Sequence, residues 1–242
     1  MYPMYYYGFD WTYIVLVLPC IILSLWASAN VNSTFQKYSS QFSRRHLTGA
    51  EAAQRVLYAH GVRNVRIERV SGKLTDHYDP RANVIRLSDA VYGSTSTAAI
   101  GVACHEAGHA VQYAVGYGPI RLRSAIIPAT QFGSKFSFIL LLIGLVLYSQ
   151  PLFLVGIALF SLTTVFQLVT LPVEFNASAR AIETIEGQGL LYEDEVGGAK
   201  KVLRAAAMTY VAALLMSMLQ LLRYVLIFLG RNGGGRRGGG RE

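Results

Sequence analysis

Two histidines and a glutamate at positions 105, 106 and 109 are the residues of this chain best suited to chemistry. They read His105-Glu106-Ala107-Gly108-His109, within a stretch from about Ser96 to Val115 that predicts a helix. Residues four apart lie one turn apart on one helix face. Two imidazoles so placed can grip one zinc ion, which in reactive sites takes three protein ligands and leaves a fourth position for water. Zinc brings the pKa of that water to about 7. Glu106 stands beside the first histidine, where it can act as general base and pass the proton to a leaving amine. The helix has almost no other charge, so these three side chains among Ala, Val, Gly and Cys would be costly to bury without a metal.

A third ligand is needed. His46 follows Arg44-Arg45 and reads as a solvated basic patch, and His60 ends a helix, where imidazole meets the last carbonyls. His77, in an expected strand between Asp76 and Tyr78, can approach the site. Glu174, in Leu171-Pro-Val-Glu-Phe-Asn-Ala-Ser178, is the better ligand. It is expected in the first turn of a helix returning from a membrane hairpin, a place that also suits an acid through the macrodipole. Ser178, one turn later on the same face, is expected to orient a ligating histidine. Cys104 adjoins His105, which already holds the useful face, and Cys20 lies in an apolar run. Their contexts suggest no pair and no oxidising compartment.

The elements that must position these groups follow from composition. Hydrophobic residues make up 52% and charged residues 15% of the 242, against about 25% charged in soluble domains. The apolar residues are blocked together, as spans require. Residues 1–29 read as a retained N-terminal membrane anchor, with a tyrosine-rich start resembling an interfacial belt. Residues 30–131 form a lobe with a small sheet and the His-Glu helix. Within it Thr48-Gly-Ala-Glu51 is a capping box, and strands are expected at 65–70, 74–78 and 84–88 in a small antiparallel sheet. Residues 132–171 read as a transmembrane hairpin broken at Ser149-Gln-Pro151, 172–204 as the third-ligand helix and an acidic segment, 205–229 as a last apolar helix, and 230–242 as a disordered Gly/Arg tail. The fold class is a mainly α membrane protein with a small antiparallel β-sheet.

Net charge is +8, and the residues before the first span carry only Asp10 while those after it are rich in Lys and Arg. The positive-inside rule then places the N-terminus outside and the lobe in the cytoplasm of a multi-pass cell-membrane protein. The run 205–229 either spans, which would put its arginines outside against that rule, or lies re-entrant or along the interface. Basic charge in such a chain reflects topology and anionic lipid, and no nucleic-acid motif is present. The expected partners are the lipid bilayer and peptide or membrane-protein substrates. An extended peptide can add to a sheet edge beside the metal helix. Ile85, Arg86 and Leu87, in the last strand before that helix, form the candidate edge; the alternative is a core strand with Arg86 facing water.

The segments His105-Glu-Ala-Gly-His109 and Glu174-Phe-Asn-Ala177 resemble the integral-membrane zinc proteases related to HtpX and the CAAX prenyl endopeptidases. The closer resemblance, carried also by Tyr78-Asp79-Pro80, Ile85-Arg-Leu-Ser88 and Leu171-Pro-Val-Glu-Phe-Asn-Ala-Ser178, is to the YugP-like neutral zinc metallopeptidases of bacterial membranes. It extends from Trp11 to about Leu229 and implies a gluzincin-type zinc peptidase core in the plasma membrane. The HtpX-like pattern carries an aspartate four residues after the third ligand, where this chain has Ser178. Two other readings fit parts of the sequence. One is a site-two-type intramembrane metalloprotease, whose third ligand is an aspartate. The other is a non-catalytic membrane zinc protein, in which Glu106 is dispensable.

Overall fold

The structure, a computed structural model, describes residues 11–233. The tyrosine-rich start and the arginine-rich end of the tail lie outside them. Among the described residues, four helices are long and apolar enough to cross a membrane: Tyr13–Ser39, Gly118–Val146, Gln150–Gly187 and Glu193–Arg231. The first begins with a wide turn at Tyr13–Val17 and continues as α1 (Leu18–Ser39). The rest of the chain supplies α2 (Gly49–Ala59), β1 (Arg66–Val70), β2 (His77–Asp79), β3 (Val84–Ser88), α3 (Asp89–Tyr92), α4 (Thr97–Ala114), α5 (Gly118–Val146), α6 (Gln150–Gly187) and α7 (Glu193–Gly233).

Several elements differ from expectation. The hairpin's first helix starts at Gly118, not near residue 132. α6 runs unbroken through Pro172 to Gly187, so Glu174 sits mid-helix and the macrodipole has no bearing on it. A proline deletes one backbone bond, a loss that long membrane helices tolerate. α7 joins the acidic segment to the last apolar run and extends past Gly230 to Gly233, so the first residues of the expected disordered tail are helical.

The chain forms two compact units. One comprises Met1–Leu25, Arg123–Leu168 and Val211–Glu242. Its core is Leu141, Phe153 and Ile157, packed by aromatic and aliphatic residues of α7 such as Leu221 and Tyr224. The hairpin helices touch closely: a β-carbon on Gly144 would stand 2.5 Å from the Phe153 nitrogen. Phe138, Leu142 and Leu154 stay exposed, as a lipid-solvated surface requires.

The other unit comprises Trp26–Leu122 and Val169–Tyr210. Its core joins Ala52, Val56 and Leu57 of α2, Ile85 and Leu87 of β3, Ala103 and Ala107 of α4, Ile185 of α6 and Ala199 of α7. Thr48 and Glu51 cap α2 reciprocally. The sheet order is β1-β3-β2, with β1 parallel and β2 antiparallel to β3. It is therefore mixed rather than all antiparallel. β3 takes the centre because it is the most apolar strand, with Val84, Ile85 and Leu87 fully buried. Asp76 accepts the Ser88 N–H at 2.7 Å and its hydroxyl at 3.0 Å, which ties the approach to β2 to the end of β3.

Candidate metal centre

α4 presents His105 and His109, one turn apart, to α6, and α6 presents Glu174 in return. The close approach of the two helices is set by Gly108. A β-carbon there would lie 2.7 Å from the carbonyl oxygen of Ala177, so only glycine lets α4 and α6 meet backbone to backbone. Both histidine Nε2 atoms then face one oxygen: His105 Nε2 is 3.2 Å and His109 Nε2 3.3 Å from Glu174 Oε2. The rings stand edge to face with centroids 4.7 Å apart. Glu174 is only 2% exposed, and a carboxylate buried that deeply needs a positive partner.

The other ring nitrogens are taken. Ser178 Oγ lies 3.1 Å from His105 Nδ1. Gln112 Oε1 lies 3.0 Å from His109 Nδ1, while the Gln112 amide nitrogen donates to the Val173 carbonyl at 2.8 Å and to Asn176 Oδ1 at 2.9 Å. Asn176 Oδ1 also accepts from Arg180 Nε at 2.9 Å. Those two acceptors fix which end of the Gln112 amide is nitrogen. Its oxygen therefore faces His109, so Nδ1 of that ring carries the proton and Nε2 keeps its lone pair.

This donor set fits zinc. Two ligand atoms about 2.05 Å from one ion in tetrahedral geometry stand about 3.3 Å apart, and the two Nε2–Oε2 separations match that spacing. The ligand atoms of His105, His109 and Glu174 all lie within 4.8 Å of one another. Cys104 lies fully buried in the apolar core beneath, outside this cluster of ligand atoms, where burial pushes its thiol pKa up.

Residues 13–229 match the family model described as "Putative neutral zinc metallopeptidase". The chain belongs to that family. A curated relative, "Putative membrane protease YugP" of Bacillus subtilis (strain 168), is 48% identical over 217 residues, which cover 90% of this chain and 96% of the relative. No solved structure matches this chain. The family's description names zinc, in keeping with the donor set found here.

The remaining candidate residues separate. Glu106, next to the first histidine, turns its carboxylate to the sheet, where Oε2 accepts the Tyr78 N–H at 3.0 Å. The Tyr78 ring packs 5.5 Å from that of Tyr113 on α4. His77 does not join the metal cluster. Side chains alternate along a strand, and with Tyr78 turned to α4, His77 is exposed on the other face, with Nε2 3.4 Å from Arg86 Nη1. Ile85, Arg86 and Leu87 do not form a free edge, because β3 is paired on both sides. Ile85 and Leu87 are core residues, and Arg86 pairs with Asp79 at 2.9 Å. The strand with an open side next to α4 is β2. Gln112 escaped the sequence reading, although an amide on the buried face of an apolar helix is a signal, since buried polar groups need partners.

Proposed function

We propose that this chain is a membrane-integrated, zinc-dependent endopeptidase in which His105, His109 and Glu174 hold the metal and Glu106 is the general base. The observation that carries the reading is the convergence of three ligand atoms beside a second carboxylate, Glu106, at the open edge of β2. The third donor is a glutamate, which favours this reading over a site-two-type protease. In the same proposal the chain is a multi-pass protein of the cell membrane with its catalytic lobe in the cytoplasm, and its substrates are peptides or membrane proteins.

Zinc, when bound, supplies Lewis acidity that polarises a carbonyl and acidifies water. The rest falls to the chain. Gln112 and Ser178 hold the two imidazoles so that Nε2 of each points to the metal position. β2 offers its outer main-chain groups to an extended peptide and so presents a scissile carbonyl without side-chain specificity. Glu106 takes a proton from water as the water oxygen adds to the scissile carbonyl carbon, and delivers that proton to the amine nitrogen as the C–N bond breaks.

Glu106→Gln tests the role of the base. The variant should keep about one zinc per chain and lose about 10²- to 10⁴-fold in peptide hydrolysis. Near-wild-type hydrolysis would remove Glu106 from the mechanism, whereas zinc binding with no hydrolysis by the wild-type protein would favour a non-catalytic zinc protein. His105→Ala and His109→Ala should each lose zinc, and full metal content in both would end the site assignment.

A further inference from the structure

Away from the metal, a groove of about 350 Å³ runs between the second half of α1 and the first half of α7. Asn30, Thr34, Lys37 and Tyr38 line it at the spacing of one helix face, and Lys201 and Arg204 line it from the other helix. Gly198 brings the helices together at its upper end, where a β-carbon would lie 2.8 Å from the Tyr38 ring. Three of these six side chains are cations and none is a carboxylate. Lys37, Lys201 and Arg204 are exposed and form no ion pair among the described residues, whereas neighbouring Lys200 is paired with Glu186 at 2.6 Å. The ammonium groups of Lys37 and Lys201 lie 5.7 and 5.9 Å from the centre of the same Tyr38 ring. Like charges gathered this way repel unless an anion joins them.

The position of the groove selects the anion. The apolar run of α1 ends at Ala29, directly before Asn30, and the apolar run of α7 starts at Ala205, directly after Arg204. Trp26, one turn before Asn30 on the same face, is 51% exposed, as interfacial tryptophans are. Met208, one turn beyond Arg204, lines the apolar end. The groove thus has a cationic end facing the polar stretch of both helices and an apolar end facing their membrane stretch. We propose that it binds an anionic phospholipid, with the headgroup phosphate held by Lys37, Lys201 and Arg204 and the acyl chains along Trp26 and Met208. Free phosphate fills only the polar end. Zwitterionic phosphatidylcholine brings its own cation into a site that already has three.

The test is native mass spectrometry of the purified full-length protein in detergent, titrated with phosphatidylglycerol or phosphatidylcholine. Phosphatidylglycerol should remain bound and phosphatidylcholine should not. Removing charge should weaken phosphatidylglycerol binding about fivefold per cation, and on the order of a hundredfold in Lys37→Gln/Lys201→Gln/Arg204→Gln. A triple variant with the same charge change elsewhere, Arg63→Gln/Lys73→Gln/Arg81→Gln, should bind as wild type. Melting curves of both triples keep loss of fold apart from loss of binding, and Lys37→Arg/Lys201→Arg should retain binding. Equal retention of the two lipids, an equal drop in the control triple, or displacement by inorganic phosphate at the lipid's own concentration would each overturn the proposal, the last in favour of a free-phosphate site.

Discussion

Replacing Gln112 by leucine removes a side chain that touches neither metal nor substrate, yet zinc affinity should fall. Leucine keeps nearly the same volume in a fully buried place but offers His109 Nδ1–H no acceptor. A buried donor left without a partner costs about 1–3 kcal/mol. That cost falls on the tautomer that presents Nε2 as a lone pair, because the other tautomer needs no acceptor at Nδ1. At about 1.4 kcal/mol per factor of ten, zinc affinity should drop about tenfold to a hundredfold, the range seen for residues that orient metal-bound imidazoles. The variant also loses the two bonds from the Gln112 amide to α6, so the metal-free protein should be less stable by about 1–3 kcal/mol. Asn176→Ala separates the two effects. It removes one acceptor of the α4–α6 clamp without touching His109, so stability should fall while zinc affinity holds. The assay is chelator competition on folded protein, paired with melting curves of the metal-free form. Gln112→Leu binding zinc as tightly as wild type, or Asn176→Ala weakening it as much as Gln112→Leu, would refute the tautomer argument.

Gly108→Ala should push α4 from α6, because its β-carbon meets the Ala177 carbonyl at 2.7 Å. A stability loss of about 1–3 kcal/mol is expected, together with weaker zinc binding because Glu174 lies on the displaced segment; unchanged melting and metal content would show that the helices separate freely. Tyr78→Pro removes a donor that serves Glu106 and not β3, so the sheet should survive while cleavage of unstructured peptides falls, read as a higher KM. Wild-type KM and kcat would dismiss β2 as the substrate edge. At the α2 cap, the Thr48 backbone N–H and then its hydroxyl hold the Glu51 pKa below its ordinary 4.5. The cap's contribution from charge is therefore present above pH 4.5 and is lost as pH falls through the lowered value. Glu51→Gln should be less stable than wild type at pH 7, by about 1 kcal/mol or less, and the gap should narrow as pH falls below 4.5; a gap constant with pH would contradict this.

Much of the site could be read from local sequence because its chemistry is local. His105, Glu106 and His109 sit within five residues, and the capping box at Thr48 and Glu51 is set by a four-residue pattern. Glu174 stood out as an acid at the end of an apolar run, yet its helix was misjudged: proline marks helix starts in water, whereas here α6 carries Pro172 in its interior. The sheet order was out of reach. Three short strands joined by turn residues suggest successive hairpins, and only the burial of Val84, Ile85 and Leu87 shows that β3 belongs between the other two. That misplacement moved the expected substrate edge from β2 to β3. Gln112 was missed for a related reason: its partners Val173 and Asn176 are more than 60 residues away, so no window of sequence holds both ends of the bond.

The hydrogen bond between Tyr78 and Glu106 has a consequence for timing. The backbone N–H of Tyr78 has one proton to share and, in the proposed reaction, two claimants: the Glu106 carboxylate and the carbonyl of an arriving peptide strand. While no strand is seated, Glu106 holds the donor and its Oε2 is occupied. A peptide that pairs with β2 takes the donor and sets Glu106 free at the moment a scissile bond is in place. Such an interlock makes strand formation the licence for cleavage. Folded segments and small amides with no backbone to offer leave the base engaged, so they would survive beside an active enzyme even when they reach the metal.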